Sequence, residues 1–283
     1  MAVTPDFVVV GHVVRDLLAG GWRLGGTASF AAAQARKLGL SVGVVTRIRK
    51  DDLALEDLLP GVALAGRAAS CTTTFENVYD GPHRRQRVPS QAEPIDESDI
   101  PAAWKDAPMA LIGPVCGEVT LDVAGVFRSS QVGVAAQGWL RRLDSQRRVR
   151  RQAWRGPPFW SGCRMLFVSD EDMGRRRDQL DRWTAEVPVV AVTRERHGAR
   201  IHDEHGWRAI AAFPVRELDP TGAGDIFAAA FMVRYHETND VSQATRFASA
   251  AAAWSVEAAG VEGVAGRDEI EERMEEHPGV VLR

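Results

Sequence analysis

The chain has 283 residues, 45% of them hydrophobic, and its 35 basic and 38 acidic side chains leave a formal charge of −3. At about 150 residues per domain this length suits one large α/β domain or two ordinary ones, and a core of that size needs no disulfide or metal staple. The near balance of charge excludes a whole-protein polyanion binder, and the ordinary apolar content excludes low-complexity disorder.

Short runs rich in valine, isoleucine and leucine recur along the chain: Phe7–Val10, Val42–Arg47, Ala110–Val115, Val132–Ala136, Met165–Val168 and Val189–Val192. Helical patterns separate them, which predicts an α/β fold with a mostly parallel central sheet and helices on both faces. One helix is expected over Ala28–Leu38, closed by Gly39. Ser169 and Asp172 read as a capping box opening a helix whose apolar stripe is Met173, Leu180, Trp183 and Val187. Asp240 and Gln243 read as a second box, opening a helix that ends by Gly260.

Two stretches break the rhythm. Cys71–Asp80 alternates in polarity, meets the turn signal Asp80-Gly81-Pro82 and continues through Arg84–Val88, which predicts an antiparallel hairpin. Leu17–Gly26, with glycines at 20, 21, 25 and 26, predicts another short strand pair. Segments of about 17–26 and 71–90 are thus expected to form a small β lid inserted into a single domain spanning 1–283.

The remaining signals have plain structural readings. Cys71, Cys116 and Cys163 are odd in number and far apart, which suits a reducing cytoplasm. No apolar run approaches the roughly 20 residues of a membrane span, so no membrane partner is expected. The opening MAVTPDFVVVGHVVRD lacks a basic leader and reads as a first buried strand. The basic run Arg141–Arg155 reads as a solvated hairpin turning at Asp144-Ser145, and no nucleic-acid partner is expected. His202-Asp203-Glu204-His205 reads as a polar turn, and Trp139, Trp154 and Trp160 as core.

Chemistry concentrates in Asp219-Pro220-Thr221-Gly222-Ala223-Gly224-Asp225. Phe227, Phe231 and Tyr235 follow at helical spacing, so a helix should begin near Gly222–Asp225. Its first N–H groups lack intrahelical acceptors and carry the positive end of the helix dipole. Glycines there let a phosphate reach the main chain. An aspartate on the same turn can take a proton from an attacking hydroxyl, which completes the needs of phosphoryl transfer to an alcohol.

This segment resembles the DTxGAGD signature of the ribokinase-like (phosphofructokinase B) carbohydrate kinases. Gly25-Gly26-Thr27-Ala28-Ser29-Phe30 resembles that family's N-terminal glycine pair, and Gly11–Asp16 the end of its first strand. The closest branch by these motifs is the myo-inositol-kinase-like one. The resemblance implies an ATP- and Mg2+-dependent kinase, with a monovalent cation as an optional addition. It assigns Asp225 as base and Gly222, Ala223 and Gly224 as the anion hole. Asp16, Gly25, Gly26, Gln137 and Arg141 fall to the substrate, and Thr193, Gly198 and Thr221 to the nucleotide. Ser169 and Asp172 stand where the family's Asn-x-x-Glu orders magnesium through water.

Three positions depart from the pattern. Phe30 replaces an asparagine that hydrogen-bonds sugars, Glu195 replaces the first glycine of a nucleotide loop, and Ser169 with Asp172 is shorter than Asn with Glu. The sequence thus implies a kinase for a sugar, cyclitol or related polyol, as a monomer or homodimer. A nucleoside kinase and a non-catalytic polyol- or nucleotide-binding protein remain as alternatives.

Overall fold

Every strand that the valine-rich runs announce joins one sheet in the computed structural model of the chain. The structure describes residues 3–52, 59–80, 83–127, 130–154, 156, 162–174 and 178–283, and at 78–80, 83 and 84 it describes the backbone. Trp160 and the Gly81-Pro82 part of the turn signal lie outside the described residues.

The strands are β1 (Phe7–Val10), β2 (Val14–Leu18), β3 (Gly21–Gly25), β4 (Val42–Val45), β5 (Val62–Ala65), β6 (Thr74–Asp80), β7 (His83–Ser90) and β8 (Met109–Ile112). There follow β9 (Gln131–Ala135), β10 (Arg141–Leu143), β11 (Val149–Arg151), β12 (Cys163–Ser169), β13 (Val189–Thr193), β14 (Ala199–Asp203) and β15 (Gly206–Ile210). The helices are α1 (Thr27–Lys37), α2 (Asp170–Met173), α3 (Asp178–Glu186), α4 (Ala223–Thr238), α5 (Val241–Ser255) and α6 (Arg267–Glu276).

The main sheet has the order β15-β14-β13-β12-β9-β8-β1-β4-β5. From β5 to β13 every pair is parallel, and β14 and β15 close one edge as an antiparallel hairpin. Strands buried on both faces must be apolar throughout, and β1, β4 and β8 are. One core packs α1, α4 and α5 on one face around Phe30, Phe227, Phe231 and Phe247. The other fills the opposite face around Trp104, Trp139, Trp154 and Trp183. Trp139 and Trp154 are core residues as expected, stacked with centroids 4.9 Å apart.

A second sheet runs β3-β2-β6-β7, so the two segments that break the α/β rhythm pair with each other. They meet through parallel pairing of β2 with β6. The basic run forms the β10–β11 hairpin, and this hairpin docks on the outer edge of β7. Arg87 bridges Arg148, and Val88 N–H donates to the Arg147 carbonyl at 2.9 Å.

Several boundaries differ from expectation. The strand expected over Val42–Arg47 stops at Val45, and Ala110–Val115 is replaced by Met109–Ile112. The lost ends are polypeptide leaving the sheet at its carboxyl edge, where the site is built. The helix expected from Ser169 through Val187 is two helices: Gly174, at φ 59°, ends α2 after four residues. The helix opened by Asp240 runs to Ser255 and so ends before Gly260, as expected. Val62–Ala65 and the β14–β15 strands extend the sheet at its two edges. Of His202–His205, expected to form a polar turn, His202 and Asp203 end β14 and only Glu204 and His205 form the turn to β15.

Candidate active site

The carboxyl ends of parallel strands are where open α/β sheets place ligands, and the candidate residues gather there. Gly222 precedes α4 in the left-handed region, at φ 83°, ψ −5°. A Cβ there would lie 2.4 Å from the Phe30 ring, so backbone conformation and packing both demand glycine. Phe30 is thus no weakened sugar contact: it is 1% exposed and forms the floor on which the anion-hole turn rests.

Of the three expected amides, two are open. The N–H groups of Gly222 and Gly224 meet no carbonyl among the described residues, whereas Ala223 N–H donates to the Pro220 carbonyl at 3.3 Å. That turn bond corrects the expectation for Ala223, whose amide closes the turn before α4. Asp225 sits one residue further, its own N–H bonded to the Gly222 carbonyl at 3.0 Å, with its side chain partly exposed.

Asp225 forms no ion pair among the described residues. Burial pushes its carboxyl up to about 6, while the Thr27 hydroxyl and the Arg141 charge pull it back and the Asp172 charge adds to the rise. A carboxylate tuned toward neutrality is a better proton acceptor than an ordinary one and is still ionised at pH 7.

Thr27 begins α1 and is fully buried. Just before it, Gly25 lies against Asp16: a Cβ on Gly25 would be 2.2 Å from an Asp16 oxygen. The glycine pair therefore lies against the Asp16 carboxylate at Gly25 and leads directly into Thr27, whose buried hydroxyl acts on the Asp225 carboxyl. Asp16 is 7% exposed, on β2 opposite Arg23 in β3.

Arg23 reaches from β3 to the other side of the site. It pairs with Asp219 and lies 3.3 Å from Thr221 Oγ1, and Asp219 also accepts the Thr221 N–H at 3.0 Å. These bonds, against the opposing effect of burial, hold the Asp219 carboxyl below its ordinary value. Thr221 is thus engaged in bracing the turn from the small sheet.

Arg141 is 8% exposed, bonded to Asp172 at 2.8–2.9 Å and to Gln137 Oε1 at 2.9 Å. The other Asp172 oxygen accepts the Ser169 hydroxyl at 2.9 Å, and Ser169 in turn caps α2 by accepting Asp172 N–H. Gln137, Arg141, Ser169 and Asp172 therefore form one connected group, close enough to Asp225 to shift its protonation. With both oxygens held, Asp172 suits water-mediated contact with a metal better than direct ligation. Among the described residues no group of three His, Cys, Asp or Glu side chains is placed to hold a metal ion. Mg2+ keeps several waters and is commonly held by substrate phosphates with one or two carboxylates, so an ion arriving on a phosphate donor fits this arrangement.

Thr193 ends β13, its Oγ1 4.0 Å from where a Gly224 Cβ would lie, which brings it to the anion-hole turn. Gly198 is elsewhere: at φ 80° it packs against the Ile210 carbonyl, 2.0 Å from its notional Cβ, and shapes the β13–β14 turn. Glu195 takes the left-handed conformation a glycine would accept freely, at φ 49°.

The sequence reading missed three groups. Thr27 and Arg23 carried only their place near the glycine pair as a signal. Glu118, 1% exposed, accepts N–H groups from His12, Val115 and Cys116 at 2.8–3.2 Å, tying the ends of β1 and β8 beneath the site.

Comparison with known proteins relates the chain to sugar and nucleoside kinases. Residues 168–265, which contain α4 and its preceding turn, match the family model described as pfkB family carbohydrate kinase. The chain is 26% identical over 269 residues to a cytidine kinase of Thermococcus kodakarensis, covering 85% of this chain and 92% of that one. It is 28% identical over 248 residues to an inositol 3-kinase of Oryza sativa, covering 79% and 61%. In fold it resembles a pyrophosphate-dependent kinase of the ribokinase family complexed with a pyrophosphate analog and myo-inositol, at TM-score 0.77 and 22% identity over 91% and 98% of the two chains. It also resembles a putative ribokinase II from E. coli in complex with ATP and Mg2+, at TM-score 0.71 and 18% identity over 96% and 99%. Among the described residues no helix is long and apolar enough to cross a membrane. The chain carries a pfkB family carbohydrate kinase domain on the ribokinase fold and is a phosphotransferase that acts on a hydroxyl acceptor.

Proposed function

We propose that the protein transfers the γ-phosphoryl group of ATP to a hydroxyl of a small sugar, cyclitol or related polyol. The observation that carries this reading is the single turn that presents the open Gly222 and Gly224 amides beside Asp225. The acceptor oxygen attacks the γ-phosphorus, the bond to the β-phosphate bridging oxygen breaks, and ADP leaves. Asp225 takes the acceptor's proton, and the two amides and the α4 dipole offset charge on the migrating group. Asp16, held against Gly25, accepts hydroxyl hydrogen bonds from the acceptor. Asp172 and Ser169 would order the waters of an Mg2+ ion arriving with the donor, which would supply neutralisation of phosphate charge. The small sheet covers the acceptor and limits transfer to water.

A nucleoside acceptor is the second reading, favoured by the cytidine kinase relative that aligns with 85% of this chain. One experiment separates them: ADP release measured by coupled assay across myo-inositol, hexoses and nucleosides. The polyol reading expects the highest kcat/KM with a polyol or sugar; a nucleoside optimum replaces it. Asp225→Asn should lower kcat by about 10²–10⁴ with nucleotide affinity retained, and wild-type turnover in that variant rejects the base assignment.

A further inference from the structure

The chain passes between the main sheet and the small sheet at four places: 11–13 between β1 and β2, Gly26 between β3 and α1, 70–73 ahead of β6, and 91–93 behind β7. His12 lies on the first of these passages and reaches the other three. Its ring Nδ1 is 2.8 Å from Thr73 Oγ1, and its Nε2 is 3.1 Å from the Glu93 carbonyl. Its own carbonyl oxygen is 2.7 Å from where a Cβ on Gly26 would lie. We infer that His12 is a positioning residue: it pins the small sheet at the angle from which Asp16 presents the acceptor to Asp225. The inference rests on the kinase reading above.

Bonding fixes the state of the ring. A carbonyl only accepts, so Nε2 carries the proton and donates to Glu93. Nδ1 therefore accepts the proton of the Thr73 hydroxyl. Thr73 Oγ1 suits this duty, because it also accepts the Ala92 N–H at 3.0 Å and has one proton to give. His12 and Thr73 are fully buried, so water does not compete for these bonds. Burial holds the ring below the ordinary histidine range and keeps it neutral. The facing charges divide: Glu118 and Glu93 favour a second proton, and Arg47 opposes it. That proton would meet the Thr73 hydroxyl and force it to turn, breaking the bond.

The pin is anchored on the main-sheet side. His12 N–H donates to Glu118 Oε1 at 3.2 Å, and the same carboxylate accepts the Val115 and Cys116 N–H groups at 2.8 Å each. The next residue, Val13, donates its N–H to Thr46 Oγ1 at 2.9 Å, just past the end of β4. His12 thus rises from a floor built on β8, β1 and β4, three neighbouring strands of the parallel sheet. The Glu93 side chain accepts the Ser70 N–H at 3.1 Å and so ties the last two passages to each other.

These passages carry the reacting groups. Asp16 follows His12 by four residues, on β2. The Thr73 carbonyl accepts the N–H of Arg15, its neighbour, at 2.9 Å. Gly26 stands directly before Thr27, whose hydroxyl acts on the Asp225 carboxyl. The position of the ring therefore sets where the Asp16 strand lies relative to Thr27 and Asp225. The Gly222 and Gly224 amides and Thr193 belong instead to α4 and its turn and to β13, so donor affinity should not follow the ring.

The test measures kcat and both KM values by ADP release, with ATP and the best acceptor of the panel above. It compares the full chain with His12→Gln, Thr73→Val, the two combined, and Thr73→Ser. A glutamine amide ends near ring Nε2, so His12→Gln keeps the Glu93 bond and loses the Thr73 bond. Both single variants should raise the acceptor KM about tenfold, the scale of one buried hydrogen bond, with the KM for ATP within about twofold of wild type. The double variant should be no worse than either, because both changes remove the same bond. Thr73→Ser, which retains the hydroxyl, should stay near wild type.

Hydrogen exchange gives a second reading that needs no turnover. Amides of β2, β6 and β7 should exchange faster in the single variants, with α4 and α5 unchanged. If His12→Gln does not fold, Thr73→Val carries the same test from the other end of the bond. A wild-type acceptor KM in the variants, an equal rise in the KM for ATP, or full additivity overturns the assignment. Exchange that rises equally in α4 and α5 marks an ordinary core histidine and overturns it too. No transfer to any acceptor by the wild type, alongside faster exchange confined to the small sheet, sinks the kinase reading and leaves the pin standing.

Discussion

Replacing Asp225 by asparagine should stabilise the protein at neutral pH while removing activity. In the fold the carboxyl titrates near 6, against an ordinary aspartate value of 3.8. At about 1.4 kcal/mol per unit, keeping it ionised at pH 7 costs at most about 3 kcal/mol. Its side chain retains some solvent contact, so about 1–3 kcal/mol is the working range. The folded pKa is raised, so between pH 4 and 6 the native state binds more protons than the unfolded chain. Wild-type stability therefore gains from this residue as pH falls through about 6, and the penalty is present in full above it.

Asparagine carries no charge and removes that segment of the pH dependence. Urea unfolding of both proteins at intervals from pH 7.5 to 4.5 reads the effect. The variant should be more stable at pH 7.5, with the gap closing toward pH 4.5. Wild-type kcat/KM should fall about tenfold per unit below pH 6. Parallel stability curves, or a variant less stable at pH 7.5, would refute a desolvated base at this position.

Three further outcomes follow from the geometry. Gly222→Ala meets a positive φ and the Phe30 ring, so it should cost about 2–4 kcal/mol; in a double-mutant cycle Phe30→Leu should recover about 1 kcal/mol, read by urea unfolding. Arg23→Ala removes the brace from β3 to Asp219 and Thr221 and should lower kcat more than it raises KM, whereas an unchanged kcat would show that the turn holds itself. Arg141→Met strands the buried Asp172 carboxylate and should cost about 3–5 kcal/mol in thermal or urea unfolding, with Arg141→Met/Asp172→Leu restoring most of it.

Local grammar explains what the sequence made legible. Gly222 must adopt a left-handed conformation, Asp225 must follow on the first helical turn, and Phe227, Phe231 and Tyr235 must stack on one helix face. All three are visible within one stretch of chain, and the rings do stack, with successive centroids 6.1 Å apart. The parallel strands announced themselves for the same reason, since burial on both faces leaves continuous apolar runs. The break at Gly174 was hidden because a periodic apolar stripe does not record where the backbone reverses.

The rest of the site depends on partners far apart in the chain. Phe30 reads as a lost polar contact until the fold places it under Gly222, nearly two hundred positions later. Arg23 is one arginine among many until β3 turns it toward Asp219. The arginine run reads as a solvated hairpin, which it is, but only the tertiary structure shows that its exposed side chains face Arg85 across a groove. Residue order along a chain encodes helix starts, turns and apolar faces, because those arise from neighbours within a few positions. Pairing of charges and the pKa of a buried base arise from solvent exclusion and distant contacts, which exist only once the sheet is assembled.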